Sequence, residues 1–228
     1  MKKLLLLSFK HYLTLVGSRF SWRQLILLQG VVNYLRIGHW MRERGFNFPH
    51  RVSSRELVWA AVGNQVRDKA VLYLEFGVAG GYSMRYWSQL LRHPSSILHG
   101  FDSFEGLPEA GGPWSKGQFN KDGRIPVIAD DRVKFFKGWF DEVLPAYSIP
   151  PHDLLVVNLD SDLYSSTLFV LRYLAPHIKK GTLIYFDEMN HVDHEPRAFD
   201  EFLAFSGRKF RPICADKSLA FVFFECLG

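Results

Sequence analysis

The chain has 228 residues, 47% hydrophobic and 15% aromatic, and a formal net charge of +5, enough apolar material to bury a full core in one domain with an extension. The bases form no stripe or motif for nucleic acid, and no apolar window reaches the ~20 residues that a bilayer-crossing helix needs. Only Cys214 and Cys226 are present, and they fall far out of register for a bridge, so a soluble protein of the reducing cytoplasm is expected.

The first 55 residues carry ten Lys or Arg against one acid, Glu43, leaving the rest of the chain mildly acidic. Met1-Lys2-Lys3 followed by Leu4–Leu7 begins like a secretion signal, but Lys10-His11 breaks the apolar run and no small-residue cleavage site follows. Trp22, Leu25, Ile26, Val32 and Leu35 recur at helical spacing, so residues 1–48 read as two or three helices ended by Phe48-Pro49-His50. We assign 1–55 as a basic helical extension that serves as lid, acceptor pocket or dimer contact. Its charge also suits an anionic surface, including peripheral contact with a membrane.

The domain proper is assigned to 56–228. Ser53 or Ser54 caps a helix through 56–66. Short apolar runs at 71–76, 97–101, 133–136, 154–160 and 181–187 then alternate with helical or loop segments, the pattern of a parallel sheet covered on both faces. The last two strands, 209–215 and 219–226, are joined by only Asp216-Lys217-Ser218 and must pair antiparallel. This predicts an α/β, Rossmann-like fold with a seven-stranded, mostly parallel sheet ending in an antiparallel hairpin. The glycine- and proline-rich stretch 105–126 reads as a long loop serving as a flap.

Chemistry concentrates at the carboxyl ends of these strands, where open α/β sheets bind ligands. Glu75-x-Gly77-x-x-Gly80-Gly81-x-Ser83 lacks the dinucleotide spacing G-x-G-x-x-G. Its glycines still permit close approach of a ligand to the backbone, and the helix that follows offers its N-terminus to an anionic group, with Ser83 as an added donor. Asp102, and less well Glu105, is placed to hold a ribose diol; the alternative for Asp102 is to cap the next turn. Asp160 and Asp162 end the fourth strand, and Asp187 and Glu188 the fifth. Carboxylates gathered in this way are costly without a cation or an acid/base task. Asp160, Asp187 and Glu188 form an all-oxygen set suited to Mg²⁺ or Mn²⁺, which leaves Asp162 as a base or as a helix cap. His191-x-x-His194 follows directly. A zinc role for it lacks ligands, and His191 is assigned to the substrate side as a second catalytic candidate.

Together these stretches resemble the macrocin O-methyltransferase family of metal-dependent sugar O-methyltransferases. The resemblance rests on residues 73–83, 100–108, 138–145, 158–167 and 181–188, and spans about 70–205. The glycine turn and the acids are also similar, more distantly, to those of catechol-type O-methyltransferases. The resemblance implies a class I fold binding S-adenosylmethionine. Glu75, Gly77, Gly80, Gly81, Ser83, Asp102, Ser103 and Asp160 would form the cofactor set, with Gly138 and Trp139 near the adenine. Asp160, Asp187 and Glu188 would hold the metal, and Asp162 would be the general base. It further implies a homodimer and a small-molecule hydroxyl acceptor, a sugar or glycosylated compound. Asp187-Glu188 stands where many members have Asp-Asp, and residues 1–55 match nothing in the family. Three other readings remain: a phenol or catechol acceptor, a nicotinamide-dependent dehydrogenase or epimerase, and a non-catalytic protein that keeps the cofactor fold. Against the dehydrogenase stand the missing G-x-G-x-x-G and the absence of a clear Tyr-x-x-x-Lys pair.

Overall fold

The computed structural model describes residues 2–111 and 114–228, with side chains from Leu5 onward. Two helices, α1 (Lys2–Gly17) and α2 (Trp22–Arg44), open the chain. Ser21 caps α2 in a reciprocal capping box with Gln24, and Gly45 closes it in the left-handed conformation, a backbone state that glycine adopts at little cost. A two-residue strand β1 (Arg51–Val52) leads to α3 (Arg55–Val66), whose first turn is capped by the Ser54 side chain.

The alternating part follows as β2 (Val71–Phe76), α4 (Tyr82–Leu90), β3 (Ile97–Asp102), β4 (Val133–Lys137) and a short helix α5 (Phe140–Val143). It continues through β5 (Leu154–Leu159), α6 (Tyr164–Leu174), β6 (Leu183–Phe186) and α7 (Glu195–Ser206) to the terminal strands β7 (Phe210–Asp216) and β8 (Val222–Cys226). All eight strands join one sheet in the order β1-β7-β8-β6-β5-β2-β3-β4. Neighbours β4, β3, β2, β5 and β6 run parallel, and β8 pairs antiparallel with both β6 and β7. The expected layout is therefore present, with one strand more than expected. That strand is β1, which pairs parallel with β7 through Arg51–Ala215 and Val52–Asp216. Two residues carry no alternation that a sequence reading can detect.

The central strands are buried on both faces, β2 throughout, which is why they read as continuous apolar runs. One face packs against α3 and α4 through the fully buried Trp59 and Trp87; the other packs against α6 and α7 through Leu171, Phe199 and Phe202. Burying each such side chain contributes about 1.5–3 kcal/mol. The second core also takes in Ile37 and Trp40 of α2, with Phe46 and Phe48 after it. The end of the basic extension thus packs into the body. Cys214 lies opposite Phe223 and Cys226 opposite Phe210, and both thiols are free and buried.

Candidate active site

The carboxyl ends of β2, β3, β5 and β6 open into one cavity of about 940 Å³, ample for a small molecule and part of a second. Its position follows from the strand order. The chain goes from β2 outward to β3 and β4, then returns to β5 on the other side, so a crevice opens between β2 and β5. Gly77 is required there by packing. It has φ 93°, and a Cβ would lie 1.7 Å from the carbonyl oxygen of Asp160.

Of the residues assigned to a cofactor, Gly77, Asp102, Ser103, Gly138, Trp139 and Asp160 line this cavity, whereas Glu75, Gly80, Gly81 and Ser83 do not. Each of the four is displaced for a physical reason, except Gly80, for whose absence from the wall the structure offers none. Glu75 is fully buried beneath the turn, where it accepts hydrogen bonds from Ser83 Oγ at 2.6 Å and Tyr73 OH at 2.8 Å. Asn158 Nδ2 in turn donates to Tyr73 OH at 2.9 Å. This network fixes the turn from below, and burial pushes the Glu75 carboxyl up to about 7. Ser83 therefore faces Glu75 instead of a ligand. Gly81 is covered by Pro126 from the end of the long loop, 2.9 Å from where its Cβ would be. A Cβ on Gly80 would meet nothing within 4 Å.

Asp102 lies at the cavity with both carboxylate oxygens engaged. Oδ2 accepts from the amides of Val78 at 2.8 Å and Ala79 at 2.7 Å, and Oδ1 from Phe104 at 2.6 Å. It thus ties the glycine turn to the loop after β3 and caps that loop, the alternative expected for it. Glu105 lines the same wall.

The acids follow the neighbouring strands β5 and β6. Asp160, Asp162, Asp187 and Glu188 all line the cavity. Both the Asp160 and Asp187 carboxyls are pushed up, first by burial, and Asp160 also by the neighbouring Asp187. Burial followed by the neighbouring Glu188 and Asp187 raises Asp162 to about 7, and burial raises Glu188 to about 7 despite a bond from Trp114. Asp162 does not cap α6: the cap position is Leu163, and no side chain bonds there. Instead Asp162 holds a left-handed φ of 60°, a conformation that costs a non-glycine residue of order 1 kcal/mol or more and recurs at functional sites.

Three partners of the acids escaped the sequence reading. Arg55 lies 3.3 Å from Asp187, Tyr185 OH donates to Asp187 Oδ1 at 2.6 Å, and Trp114 Nε1 donates to Glu188 Oε2 at 3.1 Å. A fourth, Glu195, is fully buried. Its Oε2 accepts from the Glu188 amide at 2.8 Å, and its Oε1 has no partner among the described residues. The only local hint of Glu195 is an acid before a proline at a helix start.

Asp160, Asp187 and Glu188 are oxygen donors of the kind a hard divalent cation takes, all three line the cavity, and Arg55 offsets a single charge. Among the described residues, however, no three His, Cys, Asp or Glu side chains converge into a ready-made metal centre. His191 does not line the cavity. The loop after Glu188 is drawn toward α2, where Arg36 pairs with Asp193 at 2.6 Å and Asn33 bonds the backbone of Asn190 and Val192. His191 and His194 lie with their rings 5.0 Å apart, and His194 Nδ1 is 3.0 Å from the carbonyl oxygen of Asp162. Of the flap, Glu105–Glu109, Trp114, Lys116, Gly117 and Phe119 line the cavity; Gly112 and Pro113 are outside the described residues.

Residues 123–212 match a family model described as macrocin-O-methyltransferase (TylF). The match takes in Gly138, Trp139, the four acids and His191, and leaves out the glycine turn. Over 105 residues the chain is 32% identical to the 8-demethyl-8-(2,3-dimethoxy-alpha-L-rhamnosyl)-tetracenomycin-C 4'-O-methyltransferase of Streptomyces olivaceus, covering 38% of this chain and 40% of that protein. Over 121 residues it is 28% identical to demethyldecarbamoylnovobiocin O-methyltransferase of Streptomyces niveus, covering 45% of each. The chain therefore matches less than half the length of these relatives. Among solved structures, calicheamicin methyltransferase CalS11 superposes with a TM-score of 0.59 at 23% identity, covering 75% of this chain and 77% of that one, which shows the shared fold. Residues 123–212 are thus similar to the macrocin-O-methyltransferase family model, on a fold shared with calicheamicin methyltransferase CalS11.

Proposed function

We propose that the protein is an S-adenosylmethionine-dependent O-methyltransferase whose acceptor is a hydroxyl of a sugar or glycosylated small molecule. The observation that supports this is one cavity lined by Gly77 and Ala79 of the glycine turn, by Asp102, and by Asp160, Asp162, Asp187 and Glu188. The fold and the family match over residues 123–212 support the reaction class, and the named activities of the partial relatives support the acceptor class.

S-adenosylmethionine, when bound, supplies a methyl group on a sulfonium. The protein's task is then to align an acceptor oxygen with that group, which can contribute up to ~7–11 kcal/mol. Gly77, Ala79, Ser103, Gly138 and Trp139 are the cavity residues that would hold the cofactor, with Asp102 fixing the turn beside it. Asp162, with no side-chain partner and a carboxyl near neutrality, takes the acceptor's proton at its carboxylate oxygen. Asp160, Asp187 and Glu188 would hold Mg²⁺ or Mn²⁺, which when bound lowers the pKa of a coordinated hydroxyl. The flap residues Trp114 and Phe119, whose rings lie 5.2 Å apart, exclude water from the acceptor side. Such an aromatic wall also suits a phenol or catechol, the second reading.

Calorimetric titration of S-adenosylhomocysteine into metal-stripped protein, alone and with Mg²⁺, tests the proposal. Micromolar binding is expected, with a Mg²⁺ heat that Asp160→Ala abolishes. No binding under any condition overturns the methyltransferase reading. An acceptor screen over sugars and catechols then separates the two acceptor classes.

A further inference from the structure

Helix α2 has two faces with different fates. Asn33, Arg36, Ile37, Trp40 and Arg44 lie on one and are tied to the body, Trp40 Nε1 donating to Asp200 at 2.8 Å and Arg44 pairing with the same residue at 2.7 Å. Leu27, Val31, Tyr34 and Leu35 lie on the other and are exposed, Leu27 to 71%. Helix α1 packs none of its described side chains into the core: Leu5, Leu6, Leu7, Phe9, Tyr12, Leu13 and Leu15 are all exposed, with Lys10, His11 and Thr14 among them. Trp22, 77% exposed, begins α2 between Arg19 and Arg23. An apolar surface of this extent marks a contact.

Charge decides with what. Residues 1–35 contain five bases, Lys2, Lys3, Lys10, Arg19 and Arg23, and no acid. A second copy docking through the same helices would bring these bases together with no acid to pair them. An anionic bilayer accommodates both features: the apolar side chains enter the acyl boundary while Lys and Arg meet headgroup phosphates. No helix among the described residues is long and apolar enough to cross a membrane, so the mode is surface lying. We propose that residues 5–35 seat the protein on an anionic lipid surface, with α1 and the outward face of α2 in the headgroup interface. Through Asn33 and Arg36 the same helix grips the loop that follows Asp187 and Glu188. Seating therefore lies next to the acceptor side of the cavity. It is independent of which reaction that cavity carries out.

The test is co-sedimentation of the full chain with vesicles of phosphatidylcholine alone and of phosphatidylcholine with phosphatidylglycerol, alongside light scattering without lipid. Binding is expected to the anionic vesicles only, and to fall as salt is raised. Lys10→Ala and Arg19→Ala, on exposed side chains, should each weaken it about fivefold. Leu27→Glu combined with Val31→Glu should abolish it while the thermal melt stays unchanged. Absence of anionic binding, equal binding to phosphatidylcholine alone, or indifference to the Leu27/Val31 variant would each overturn the proposal. A dimer that this variant dissociates, in a protein that ignores vesicles, would assign the face to a second copy instead.

Discussion

Arg55 Nη1 lies 3.3 Å from Asp187 Oδ1, joining the first residue of α3 to the acid that ends β6. The guanidinium also packs 5.1 Å from the Trp59 ring and 5.4 Å from those of Tyr82 and Phe221. It is thus held from several sides and provides one positive charge against four carboxylates. Replacing it by methionine keeps most of the packing and removes that charge. Arg55→Met should lower stability at neutral pH by about 2 kcal/mol, the worth of a charged hydrogen bond. If Asp187 is a metal ligand, Arg55 competes with the cation for it, and the variant should bind Mg²⁺ more tightly than the parent by calorimetry. Weaker or unchanged binding would show that Arg55 and the metal do not share Asp187.

Much of this architecture is legible in the sequence because it is local. Apolar runs with acids at their ends locate β2, β3, β5 and β6, and the three-residue connection forces the final hairpin. The pairing of Arg55 with Asp187 is not local. It spans 132 residues, and only the sheet order brings β6 beside the start of α3. The side-chain direction of Glu75 was equally hidden. A strand alternates its faces, but β2 is buried on both, so nothing local says that Glu75 turns down toward Tyr73 and Ser83 instead of up toward a ligand. His191 illustrates the reverse case. Proximity in sequence to Asp187 and Glu188 suggested a shared site, while the clamp of Asn33 and Arg36 draws its loop away.

Asp162 combines cavity exposure, a strained backbone and no cap to make. If it is the base, Asp162→Asn should leave S-adenosylhomocysteine binding intact and lower turnover by about 10²–10⁴-fold. Since the base works deprotonated, the rate of the parent should rise with pH through about 7, where its carboxyl titrates, and then level. The variant should lose that rise. A variant that turns over at the parent rate removes Asp162 from the role.

The buried Glu75 makes a separate prediction about stability. Its carboxyl is held near 7 in the folded chain by burial, against about 4.3 in an unfolded one. Between those values the folded state binds more protons, so stability falls as pH rises. The contribution is fully present below pH ~4.3 and lost as pH passes about 7, a difference of order 3 kcal/mol. Glu75→Gln keeps the shape and removes the titration. Its melting temperature should therefore decline less than the parent's between pH 5 and 8, and parallel curves would place the proton elsewhere.

Two neighbouring glycines should separate folding from binding. At Gly77 an alanine Cβ would fall 1.7 Å from the Asp160 carbonyl oxygen, at a φ of 93° that L side chains rarely adopt. Neither backbone segment can yield without parting β2 from β5, so Gly77→Ala should unfold or aggregate. At Gly80 the added methyl meets no atom within 4 Å, and φ is not in the left-handed range. Gly80→Ala should therefore melt at or slightly above the parent temperature, since alanine restricts the unfolded chain. If the glycine turn approaches a bound cofactor at Gly80, the same methyl should still weaken S-adenosylhomocysteine binding measurably by calorimetry. Unchanged affinity in a stable Gly80→Ala protein would confine the cofactor to the cavity residues Gly77 and Ala79 and leave Gly80 a purely conformational position.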